Sequence, residues 1–128
     1  PAEARRYLAP TYDHASSLGA HERDEERLRR LQSRDSAFRV EGYVKRSTAR
    51  SALYLQAGDP RPLPMLEAFR AWSESSNCGR WLERLASVGD AATEELLERV
   101  PESEISGPAR AFAQAILKAN KGRILGAR

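Results

Sequence analysis

The sequence predicts an all-α fold, a compact bundle of about six helices around one core, and three observations carry that expectation. From Phe38 to the carboxyl end, apolar residues recur mostly at spacings of three and four, which places them on one face of a helix. After Gly19 no segment alternates apolar and polar residues over the length of a strand, and there is no internal repeat or low-complexity tract. Glycines and prolines fall between the periodic stretches, at residues 58 to 64, Gly89, Pro101 and Gly107-Pro108, where they stop one helix and allow the next. A chain of 128 residues suits a single domain of this kind.

The chain opens differently. Residues 1–20 are expected to form an extended segment and a loop, with residues 21–128 as the helical part. The short apolar run Tyr7-Leu8-Ala9 is stopped by Pro10, which fixes its own φ and pushes Ala9 toward extended backbone. This reads as a strand end followed by a loop. Asp13 stands three residues past that proline, His14, Ser16 and Ser17 follow, and Gly19 closes the loop with the freedom to take a positive φ. A short carboxylate on such a loop offers one hard oxygen to Mg²⁺. Equally, it caps a turn through its own backbone, and the residues alone leave both readings open.

Residues 21 to 35 are charged almost throughout, with Leu28 and Leu31 as the apolar contacts. Glu25 with Arg29, and Glu26 with Arg30, stand four apart with the acid first, an arrangement worth about 0.2 to 0.5 kcal/mol per pair on a helix. A short exposed helix on the surface is expected. Its Arg27, Arg29, Arg30 and Arg34 read either as a solvated face or as a docking patch for an acidic partner. Phe38, Val40, Tyr43, Val44, Ala49, Ala52, Leu53 and Leu55 outline the next helical face, with a break near Ser47-Thr48.

Pro60, Pro62 and Pro64 make a turn, after which Met65, Leu66, Phe69 and Trp72 resume helical spacing. Trp81, Leu82, Leu85 and Val88 form the following stripe, up to Gly89 as its expected C-cap. Asp90 is the expected N-cap of a helix in which Leu96, Leu97 and Val100 point inward until Pro101. The last helix starts after Ser106-Gly107 with Pro108 in its first turn and an apolar face of Ala111, Phe112, Ala115, Ile116 and Ala119. Lys118, Lys121 and Arg123 near its end are expected to complement its dipole.

Composition excludes several classes. With 21 Lys and Arg against 18 Asp and Glu the net charge is +3 with mixed signs, which gives little support for direct nucleic-acid binding. Cys78 stands alone, so there is no internal disulfide or cysteine metal cluster, and it reads as a small hydrophobe. No apolar run approaches the roughly 18 residues of a membrane span and no signal-peptide layout opens the chain, so the cytoplasm is the default location. His14 and His21 lack partners at zinc-ligand spacing, and Ser16 and Ser17 lack the strained GxSxG elbow of a nucleophile. Trp72 and Trp81 read as core.

The run Leu8-Ala9-Pro10-Thr11-Tyr12-Asp13-His14-Ala15-Ser16-Ser17-Leu18-Gly19 resembles the metal-binding loop of the HipA-like serine/threonine kinases, toxin components of bacterial toxin–antitoxin pairs. The likeness continues from Glu25 through Arg34-Asp35 and Phe38, then Val40-Glu41-Gly42-Tyr43 to Ala52-Leu53-Tyr54, and from Val100-Pro101 through Ser106 to Phe112, Leu117 and Asn120. It covers nearly the whole chain. The resemblance implies that Asp13, with Tyr12 before it, binds Mg²⁺ and through it ATP, within the helical lobe of a kinase. The implied parent transfers phosphate to Ser or Thr of a cellular protein and is checked by an antitoxin. In that pattern the catalytic base, the second metal ligand and the nucleotide lysine precede the metal loop, so this chain is expected to be a C-terminal part with no catalytic residue of its own, inactive alone. The alternative is a non-catalytic helical interaction module binding an antitoxin-like or nucleic-acid partner through the Arg-rich surface of residues 23 to 34.

Overall fold

A computed structural model describes residues 17–46, 66–67, 69–70, 73 and 79–126. Five helices are described: α1 (Asp24–Gln32), α2 (Val40–Arg46), α3 (Gly79–Ser87), α4 (Asp90–Glu98) and α5 (Gly107–Leu125). Among the described residues there is no strand, so the all-α expectation holds. Of the helix expected at Met65 to Trp72, the described Leu66, Glu67, Phe69 and Arg70 are helical, as is Ser73. Asp13, His14, the expected break at Ser47-Thr48, Trp72 and Cys78 lie outside the described residues. None of the described helices is long and apolar enough to cross a membrane.

The bundle is organised on α5, against which α1, α2, α3 and α4 all pack. Its start is fixed locally. Ser106 is extended at φ −71° and ψ 157°, its hydroxyl accepts the Ala109 N–H at 3.2 Å, and Pro108 follows where a missing donor costs nothing. Its apolar face then meets α2: Phe112, Ile116, Val40 and Val44 form the buried cluster, with Leu18, Leu31, Tyr43, Ala115 and Ala119 packed around it. The Tyr43 ring meets Phe112 edge-on, centroids 5.2 Å apart at 62°. Ala113 is buried on this helix and Ala111 is exposed, the reverse of what the stripe suggested. With neighbours on several sides, the covered face of α5 is wider than one stripe and turned from it.

Three cations of α5 serve the ends of the helices around it. Arg110 donates to the carbonyls of Leu97 and Val100 at 2.8 and 3.1 Å, Lys121 to that of Val88, and Arg123 to that of Val44 at 2.7 Å. Each of these carbonyls lies in or just past the last turn of a neighbouring helix, where carbonyls are left without an intrahelical partner. Lys121 and Arg123 thus satisfy neighbours as well, and Arg123 stands in the last turn of α5, where the sequence set it against the dipole of that helix. Lys118 pairs with Asp90 at 2.9 Å. That pair also corrects the expected cap. Gly89 takes the N-cap position of α4 at φ −71°, while Asp90 is the first residue of the helix and its carboxylate faces Lys118. A full opposite charge on the packed helix outbids a neutral local N–H.

Two large side chains expected inside stand out of the core. Trp81 is 47% exposed under the Arg84 guanidinium, 5.5 Å from the ring centroid, and Leu96 is 64% exposed. Leu82 is the buried residue of α3. Helices α3 and α4 are each one layer deep on α5, so their second apolar stripe has no described element over it.

Candidate functional site

The candidate loop enters the described structure at Ser17 and turns sharply. Leu18 and Gly19 both have positive φ, 54° and 76°, and the turn is closed by Ala20 N–H to Ser17 carbonyl at 3.1 Å and Glu22 N–H to Gly19 carbonyl at 3.0 Å. The positive φ read from the sequence at Gly19 is present. Glycine is required for a second reason: a Cβ here would come within 2.5 Å of the Phe112 ring. The turn therefore rests directly on the most buried side chain of the core.

Arg27 fastens that turn to the bundle. Its guanidinium donates to the Gly19 and Ala20 carbonyls, both at 3.1 Å, and to Asp24 Oδ1 at 2.5 Å. Asp24 Oδ1 also accepts the Ser106 hydroxyl proton at 2.8 Å, and Ser106 caps α5. Loop, α1 and the start of α5 thus share one hydrogen-bonded network. The Ser106 hydroxyl, and then the Arg27 guanidinium, hold the Asp24 carboxyl below its ordinary value of 3.8, against a smaller desolvation effect. A lowered folded pKa means that the contribution is complete above the ordinary value and is lost as pH falls through the folded one. Asp24→Asn is therefore expected to lower the urea midpoint at pH 7, and the gap to the original chain should narrow steadily below about pH 4. A gap of equal size at pH 7 and pH 2 would show that the Asp24 charge does not hold this junction.

The four arginines read as one patch separate into two kinds. Side chains of Arg27 and Arg30 are each only 12% exposed. Arg30 donates to the Phe38 carbonyl at 3.0 Å, pairs with Glu26 at 3.3 Å and Glu22 at 3.5 Å, and lies over the rings of Phe38 and Tyr43 at 4.7 and 5.0 Å. Only Arg29 and Arg34 are left on the outside, and Arg29 turns to Glu26 at 2.9 Å where Glu25 was expected. Arg27 and Arg30 do not belong to a docking patch. A signal for this was present, because Arg27 stands three before Arg30 and four before Leu31, on the side of the helix that faces the core.

An open groove of about 650 Å³ lies beside the turn, with apolar wall from Leu18, Leu97, Val100 and Ile105 and charged wall from Arg23, Asp24, Arg27 and Glu104. No group of three or more His, Cys, Asp and Glu side chains among the described residues is placed to hold a metal ion. The acids nearest the loop, Glu22 and Asp24, are engaged by Arg30 and by Arg27 with Ser106. The assignment of metal and ATP rests on Asp13, which lies outside the described residues.

No protein-family model, curated protein or solved structure matches the chain.

Proposed function

We propose that the chain carries the metal-binding loop and helical lobe of a HipA-like protein kinase, with Asp13 as the Mg²⁺ and ATP ligand and with the catalytic base supplied by residues of a longer protein. The reading is carried by the run Tyr12-Asp13 to Leu18-Gly19. The clamped turn at its end supports it, since a ligand that must be positioned to a fraction of an ångström needs a loop tied to rigid elements. Protein substrate and antitoxin belong to the same proposal. The interaction-module alternative loses Arg27 and Arg30 from its surface, and what remains of residues 23 to 34 is a mixed-charge face.

The test is phosphoryl transfer from ATP by the longer protein with Asp13 intact and with Asp13→Asn, which keeps the shape and removes the charge. Turnover is expected to fall by a hundredfold or more in Asp13→Asn with the melting temperature unchanged, while His14→Ala loses little. Equal turnover in the two would make Asp13 a turn-capping residue. The chain of residues 1–128 by itself is expected to show no transfer, because only one of the required groups is assigned within it.

A further inference from the structure

The last residues of the candidate loop are held in a conformation that they would not keep by themselves. Leu18 has a φ of 54°, in the left-handed region where a Cβ is crowded by its own backbone. A residue of this kind stays there only where its surroundings hold it. The Leu18 side chain packs against the core cluster, and the Arg27 guanidinium holds the carbonyls that follow, those of Gly19 and Ala20, both at 3.1 Å.

The hydrogen bonds that do this converge on a single atom. Asp24 Oδ1 accepts from Arg27 Nη1 at 2.5 Å and from the Ser106 hydroxyl at 2.8 Å, and that hydroxyl in turn accepts the Ala109 N–H at 3.2 Å. One carboxylate oxygen therefore joins the turn to the start of α5. Breaking only part of the network is the costly state. The Arg27 side chain is 12% exposed and its Nε is buried with no hydrogen-bond partner, so the guanidinium already carries one unmet donor. A further donor left unmet inside costs more than one released to water. Asp24, Arg27 and Ser106 all line the open groove, where water can take over their hydrogen bonds once they let go of one another. Two arrangements are thus favoured over those between them: every link made, or every link broken with the guanidinium turned out into the groove.

We infer that Arg27, Asp24 and Ser106 form a two-state latch, through which the 17–22 turn and the first turn of α5 open and close as one unit while the centre of α5 stays folded. Relief of the backbone strain at Leu18 favours the open state, and the packing of its side chain with the hydrogen bonds of Arg27 favours the closed one. A change that draws Ser106 away from Asp24 frees the turn, and by reciprocity a change that frees the turn loosens the start of α5. The inference uses neither Asp13 nor the kinase reading.

Amide hydrogen exchange of the 128-residue chain, read residue by residue by NMR, tests the coupling by perturbing one end and watching the other. Ser106→Ala deprives Ala109 of its own acceptor, so the informative amides are Ala20 and Glu22, which close the distant turn. Arg27→Lys keeps the charge but loses the fork that reaches both carbonyls and Asp24, and there the informative amides are Ala109 and Arg110. Each variant is expected to speed exchange at the end it does not touch by about tenfold or more, with Ile116 and Ala119 in the middle of α5 unchanged. Arg30→Gln is the control, because Arg30 is also 12% exposed on α1 but donates to the Phe38 carbonyl, and it should leave all four informative amides as they were. The inference is overturned if either variant speeds exchange only at its own end, or if Arg30→Gln does what Arg27→Lys does. An equal rise at Ile116 and Ala119 would overturn it too, by making the event global unfolding. Should Arg27→Lys fail to fold, Ser106→Ala decides alone, since it removes a single oxygen at a helix end.

Discussion

Replacing Phe112 by alanine is expected to cost about 3 to 5 kcal/mol, a large part of the roughly 5 to 15 kcal/mol that holds a domain of this size folded. Phe112 is 0% exposed, and two elements meet on it: α2, with Tyr43 edge-on at 5.2 Å and Val40 and Val44 in the same cluster, and the Leu18–Gly19 turn against its ring. Truncation leaves a cavity whose walls come from separate helices, so they cannot close over it without moving backbone. It also removes the floor of the turn that Arg27 clamps. Phe38→Ala is the comparison. Phe38 is half-buried and carries mainly the arginine stacking, so its loss should be much smaller. Urea unfolding followed by far-UV circular dichroism measures both, and a Phe112→Ala midpoint equal to the original would remove Phe112 from the centre of the core.

Gly42→Ala is expected to destabilise by about 3 kcal/mol or more, although alanine is the better helix former by about 1 kcal/mol. A Cβ on Gly42 would lie 2.1 Å from the Ala37 carbonyl oxygen, 2.5 Å from its carbon and 2.9 Å from the Ser36 oxygen, all backbone atoms that cannot rotate away. To make room, α2 must lift from the 36–38 turn. That strains the hydrogen bonds from Arg30 to the Phe38 carbonyl and from Arg46 to the Ala37 carbonyl, and displaces Val40 and Val44 from the core. Gly122→Ala in α5 is the matching control. Nothing lies within 4 Å of the Cβ it would add, so propensity decides and the chain should gain up to about 1 kcal/mol. The same substitution on two helices should thus shift the urea midpoint in opposite directions. A stabilising Gly42→Ala would show that α2 does not press on that turn.

Much of the fold was legible in local pattern. The spacing that named Val40, Val44, Leu82, Phe112 and Ile116 found residues that are buried, and Ser106-Gly107-Pro108 marked the start of α5 because capping needs only neighbours in sequence. Gly19 was marked for the same reason. Periodicity failed where an apolar stripe had no described cover, at Trp81 and Leu96, because pattern records that a side chain is able to be buried and not whether anything packs over it. Of the candidate site, the sequence marked Asp13 and its loop but not what anchors the end of that loop.

The sequence by itself determined that the chain is helical, where most of its helices begin and end, and which side chains fill the centre, because those properties follow from propensity, breakers and spacing within a few residues. Only the tertiary structure decided where the charges go. Asp24 meets Ser106 across 82 positions and Arg123 meets Val44 across 79, while Arg27 and Arg30, whose own partners lie within eight positions, became internal ties because α1 packs that side against α5. A charge takes the partner that packing brings nearest, since its attraction falls with distance in space and not along the chain. That is why Arg27 and Arg30 lie inside the bundle while Glu98, Glu102 and Glu104 remain facing water.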